Sequence, residues 1–89
     1  MVSREIRIIN KLGLHARAAA KFVSTASRFA ADIKVEKDDQ SANGKSIMGI
    51  MMLAAFQGSS LLVSAVGEDA EEALNALDAL VQDRFGEGE

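Results

Sequence analysis

Two stretches of this chain carry apolar residues at helical period, and each comes shortly after a stretch that reads as a strand. Between Val2 and Ile9, Val2, Ile6 and Ile8 share one face and Ser3, Glu5 and Arg7 the other, which predicts a half-buried strand. From Ala16 to about Arg28 the pattern changes. Ala19, Phe22, Val23, Ala26 and Ala30 fall on one helical stripe, and Ala16, Ala18, Ala19 and Ala20 add helix propensity. The pairing recurs near the other end. Ser60 to Val66 reads as a strand, and Ala73, Leu74, Leu77, Leu80 and Val81 form a second stripe. Two such units bury their apolar faces when the helices lie on one face of a shared sheet, which predicts an α+β two-layer sandwich.

The middle of the chain supplies the remaining elements. Asp32 to Lys37 alternates with Ile33 and Val35 inward, Asp38-Asp39 turns, and Gln40-Ser41-Ala42 is a short strand. Asn43-Gly44 is a turn signal. Ser46 can cap a short helix through Ile47, Met48, Ile50, Met51 and Leu53, and Gly58 ends that region. Asp69 and Glu72 have capping-box spacing, and Glu68, Asp69, Glu71 and Glu72 suit the positive end of the last helix. Gly86-Glu87-Gly88-Glu89 is expected to fray. The expected order is strand, helix, strand, strand, short helix, strand, helix, in a single domain over residues 1–89.

A chain of 89 residues buries only about 60–65% of its unfolded surface, so a shallow site is expected rather than a large cleft. A net charge of −3 argues against a nucleic-acid partner. Without cysteine, and with His15 as the lone histidine, no thiolate or histidine metal cluster and no cofactor is expected. No apolar run approaches the ~18–20 residues of a membrane span. The start, Met1 to Glu5, lacks a signal-peptide core, so a cytoplasmic protein without membrane insertion is expected.

The most informative stretch is Gly13-Leu14-His15-Ala16-Arg17, where a loop passes into a helix. Unpaired backbone N–H groups and the positive end of the helix dipole disfavour imidazolium there, leaving a ring nitrogen free as a nucleophile. The same N–H groups can hold the oxygens of a phosphoryl group, and Arg17 offers a planar, permanently charged fork. No carboxylate lies in this stretch to repel phosphate. His15 is also readable as a polar helix-start residue and Arg17 as a solvated charge, so position alone leaves the choice open. The second feature is Lys45-Ser46-Ile47-Met48-Gly49. Ser46 reads as a helix cap that could carry a phosphate, acting through surface charge. The apolar run after it reads as core, or as a protruding docking patch.

These two stretches, at their spacing and in a chain of this length, resemble the signatures of the histidine-containing phosphocarrier (HPr) family of the bacterial phosphotransferase system. The resemblance implies an open-faced β-sandwich, with a four-stranded antiparallel sheet covered on one face by three helices. It implies a carrier that is not itself an enzyme, acts as a monomer and takes a phosphoryl group on Nδ1 of His15 from enzyme I, which draws on phosphoenolpyruvate. The group then passes to enzyme IIA domains for sugar uptake. Arg17 would steady the phosphoryl group and Ser46 would be the target of a kinase/phosphorylase. Ile47, Met48, Gly49 and Met51 would form the docking surface. Many family members carry proline after the arginine, and Ala18 stands there in this chain. Alanine restores one N–H and frees φ slightly, with a small expected effect on the loop. The alternative within the family is a regulatory carrier for nitrogen or carbon signalling. Outside it, an acylphosphatase-like hydrolase lacks its glycine-rich phosphate loop here, and a pure interaction module would leave His15 inert.

Overall fold

The computed structural model describes residues 1–88. Its elements in chain order are β1 (Val2–Arg7), α1 (Ala16–Ala26), β2 (Asp32–Lys37), β3 (Gln40–Asn43), α2 (Ile47–Met52), β4 (Ser60–Val66) and α3 (Ala70–Gln82). A 3-10 turn, Arg84–Gly86, follows. The four strands form one antiparallel sheet in the order β1-β4-β2-β3, as the α+β reading expects. The register places Ile6 opposite Leu61 and Val35 opposite Val63, so alternation on all three strands delivers the same face to the core. Ile6, Ile33, Val35, Leu61, Val63 and Ala65 from the sheet meet Phe22 and Ala26 of α1, Ile50 of α2, and Leu74, Leu77 and Val81 of α3.

Several boundaries differ from the sequence reading for local reasons. β1 stops at Arg7, although Ile8 still pairs with the loop before β4 through its N–H to Ser59 and its carbonyl to Gly58. Helix α1 ends at Ala26 because the next turns tighten, with Arg28 N–H bonding Thr25 and Phe29 N–H bonding Ala26. That tightening takes Ala30 out of the helical phase, and it is exposed while Ala31 is buried. Asp69 stands at the start of α3 without a side-chain cap there. Its carboxylate accepts instead from Ala30 N–H at 2.8 Å and Ala31 N–H at 2.9 Å, tying the loop after α1 to α3. The Ala30 bond, aided by Ala31 and by Lys45, outweighs desolvation and holds Asp69 below the usual aspartate range.

The chain end, expected to fray from Gly86, makes hydrogen bonds as far as Glu87, and Glu89 lies outside the described residues. Arg84 and Phe85 both have φ near +54°, and Gly86 follows at +76°. Left-handed conformation in residues with a Cβ costs about 1–2 kcal/mol each and persists only where the surroundings hold it. Two contacts do so here. Phe85 is fully buried in the core, and Lys21 Nζ donates to its carbonyl at 2.6 Å. The turn therefore reverses the chain and sends it back across the start of α1.

Candidate functional site

The loop before α1 is built around two residues. Gly13 has φ +66°, and a Cβ there would meet the Ala55 carbonyl at 2.5 Å, so only glycine lets the loop press against the chain after α2. Leu14, buried, donates its N–H to that same carbonyl at 3.0 Å. From the other side, fully buried Asn10 donates from Nδ2 to the Gly13 carbonyl at 2.9 Å. Its Oδ1 has no partner among the described residues. Burying an unpaired acceptor is unfavourable, so Asn10 is held there by what its Nδ2 reaches.

These contacts place His15 at the N-cap position of α1, in extended conformation and with no capping bond from its side chain. Its carbonyl accepts the Ala19 N–H at 2.8 Å, and the first N–H groups of the helix have no intrahelical acceptor. The ring is therefore free of capping duty at the position just before those donors. Arg17 lies in the first turn of α1 and is exposed. His15 and Arg17 line one open depression of about 720 Å³, together with Lys11, Leu12, Ala16, Gly86 and Glu87.

Glu87 adds a group that the His15 stretch does not itself contain. A carboxylate is present at the site after all, delivered from the far end of the chain. Its Oε2 contacts Nε2 of His15, and its Oε1 accepts from Asn10 Nδ2 at 2.9 Å. Burial works against its charged form, but the bonds from His15 and Asn10, with attraction from His15 and Lys21, outweigh that. They hold Glu87 below the usual glutamate range. The contact is thus present above the ordinary glutamate pKa and is lost as pH falls through the depressed one. An ionised carboxylate can only accept, so Nε2 is the ring nitrogen that carries hydrogen. In the neutral ring the lone pair then lies on Nδ1. The His15 side chain is 30% exposed and that of Glu87 only 13%.

Ser46 caps α2 as expected, its Oγ accepting the Gly49 N–H at 3.1 Å. Glycine at 49 keeps this cap close to β3, since a Cβ would lie 3.2 Å from both Ala42 Cβ and Ser46 Oγ. Of the apolar run, Ile50 and Leu53 enter the core, while Ile47, Met48, Met51 and Met52 are exposed, Met48 to 69%. Leu12 and Phe56, which the sequence reading did not single out, are also exposed apolar residues. They lie on the two chain segments that Gly13 brings together.

This architecture is shared with known proteins. The chain matches the family described as PTS HPr component phosphorylation site over residues 2–83. It is 53% identical to phosphocarrier protein HPr of Neisseria meningitidis serogroup A over 89 residues, covering all of both chains. The crystal structure of HPr-C-His from Thermoanaerobacter tengcongensis matches with a TM-score of 0.94 at 54% identity, covering 98% of each chain. An HPr dimer from the same organism matches with a TM-score of 0.79, covering 98% of this chain and 100% of that one. Length, sheet order, the glycine-set loop and the histidine at the start of α1 therefore have one explanation: the chain belongs to the HPr family of phosphocarrier proteins of the phosphotransferase system.

Proposed function

We propose that His15 accepts a phosphoryl group on Nδ1 from enzyme I, charged by phosphoenolpyruvate, and passes it to enzyme IIA domains that serve sugar uptake. The observation that carries this reading is the meeting of three groups in one open depression. His15, whose Nδ1 accepts no bond among the described residues, the first residues of a helix start and Arg17 line the same depression. The lone pair supplies the nucleophile, and the N–H groups and Arg17 take up negative charge on the arriving oxygens. The depression is open rather than enclosed, so the transfer geometry comes from the partner that docks on it. It acts as a substrate of its partner enzymes, as a monomer, in the cytoplasm. Among the described residues no helix is long and apolar enough to cross a membrane.

Ile47, Met48, Gly49 and Met51 supply the docking surface on this reading. Helix α2 packs beside α1, the helix that begins at His15, and its methionines are exposed. Methionine suits a surface that must fit several partners, because its side chain is flexible and polarisable. Ser46, at the head of α2, is the regulatory position and the target of a kinase/phosphorylase. Ser46→Asp keeps the cap, since aspartate is as good an N-cap as serine, and sets a charge beside the apolar surface. We expect acceptance from enzyme I to slow about tenfold with little change in melting temperature. Equal enzyme I kinetics for variant and parent would leave Ser46 as a cap alone.

The relay itself is tested with radiolabelled phosphoenolpyruvate, enzyme I and purified enzyme IIA domains. Label should reach a sugar-specific IIA domain only when this chain is present. Delivery solely to a regulatory IIA domain would favour the nitrogen or carbon signalling role, and label reaching IIA without this chain would overturn the relay.

A further inference from the structure

The feature that the phosphocarrier reading leaves unused is the chain end. It is held in place at three points. Phe85 is fully buried, Lys21 grips the Phe85 carbonyl, and a buried asparagine, Asn10, donates to Glu87. Two adjacent non-glycine residues accept left-handed conformations to make the reversal possible. The product of this construction is one contact, Glu87 Oε2 on Nε2 of His15.

We infer that Glu87 is a positioning residue for phosphoryl transfer: by occupying Nε2 it confines the ring proton there and reserves Nδ1 for phosphorus. This rests on the reading of His15 as the phosphoryl acceptor. Nδ1 and Nε2 of a free imidazole are both competent nucleophiles, and a partly exposed ring at a helix start could rotate to offer either one. Glu87 removes that choice in two ways. It fixes the orientation of the ring, and as an ionised acceptor it requires hydrogen on Nε2.

The electron count favours the same arrangement during the reaction. The Nδ1 lone pair forms the new N–P bond while the bond between phosphorus and the donor atom of the charged partner breaks. The donor atom leaves with that electron pair, and the proton on Nε2 stays in place. The ring becomes positive as the N–P bond forms, because both of its nitrogens are now substituted. Glu87 faces the N–H side of that ring, and the phosphoryl oxygens lie on the opposite nitrogen near Arg17. The carboxylate thus meets the developing positive charge, with the ring between it and the phosphate. This resolves the apparent conflict between a carboxylate at the site and an anionic substrate. Asn10, itself buried and aimed at Oε1, keeps the carboxylate turned toward the ring.

The test uses Glu87→Ala in the full chain. Glu87 lies outside the hydrophobic core, so the fold is retained, and thermal melting verifies this. Nitrogen NMR of the His15 ring reads the tautomer directly in the absence of any partner. Treatment with phosphoramidate, a small donor that needs no docking surface, reads the regiochemistry by phosphorus NMR. Quench-flow with enzyme I and phosphoenolpyruvate reads the rate. The parent should show the Nε2–H tautomer and phosphorus on Nδ1 only. Glu87→Ala should show mixed tautomers, an added Nε2 product, and acceptance from enzyme I slowed about tenfold, the effect of one charge-assisted hydrogen bond at a partly exposed ring. Glu87→Gln keeps the side-chain length but has a single acceptor oxygen; with that oxygen on Asn10 Nδ2 its amide N–H faces Nε2, so it should favour hydrogen on Nδ1 and stay as slow as Glu87→Ala. A Glu87→Ala chain whose ring tautomer or acceptance rate equals the parent's overturns the inference. A parent that takes no phosphoryl group from charged enzyme I would instead overturn the phosphocarrier reading itself.

Discussion

Phe85→Ala should destabilise the protein by about 3–5 kcal/mol, the usual loss when a fully buried phenylalanine is cut back to alanine. That is a large share of the roughly 5–15 kcal/mol that holds a small domain folded. The effect is larger than the position of Phe85, near the chain end, suggests. Its ring closes the core beyond the last turn of α3, and without it only the Lys21 bond to the residue-85 carbonyl offsets the left-handed backbone at positions 84 and 85. Urea unfolding measures the loss. A second readout follows from the same contact. Once the turn is released, Glu87 no longer reaches His15, and the ring should lose its single tautomer even under conditions where the variant is still folded. A loss below about 1 kcal/mol would mean that the tail is not anchored by its aromatic residue.

Arg17→Glu should slow both phosphoryl acceptance and onward transfer about a hundredfold, with the fold unchanged. Arg17 is exposed on the first turn of α1 and makes no ion pair among the described residues, so the fold does not depend on it. The variant removes a charge-assisted bond to the phosphoryl oxygens, worth about 1.5–3 kcal/mol, and sets a like charge in its place. Rapid-quench rates in both directions measure the effect. Unchanged rates would remove Arg17 from the site, and a loss in melting temperature of equal size would recast it as a structural residue.

Most of the fold was legible because its elements carry their own periodicity. Ile33 and Val35, or Leu74, Leu77 and Val81, announce a buried face without help from distant residues. The His15 stretch was legible for a similar reason, since its loop glycine, its histidine and its arginine are neighbours in sequence. What the sequence hid was long-range. Glu87 meets His15 across 72 positions, and no local pattern marks such a pairing. The turn that delivers it uses Arg84 and Phe85 in left-handed conformation, where glycine or asparagine would have been the visible signal. One clue was present: Phe85 continues the α3 stripe four residues after Val81, a large aromatic just before the tail expected to fray. Asp69 misled for the converse reason. Its spacing to Glu72 fits a local cap, but the carboxylate satisfies Ala30 and Ala31 instead, and long-range acceptance won over local capping. The apolar run after Ser46 was ambiguous because a short helix buries only part of its circumference. Ile50 and Leu53 went inward and the methionines stayed out.

The account rests on His15 as the residue that carries phosphorus. The most direct measurement charges the purified chain with phosphoenolpyruvate and a catalytic amount of enzyme I, then locates phosphorus by mass spectrometry and by phosphorus–nitrogen NMR. The account predicts one acid-labile phosphoryl group per chain, bonded to Nδ1 of His15, and none on His15→Ala. No acid-labile phosphate on the parent, or an equal amount on His15→Ala, would contradict it.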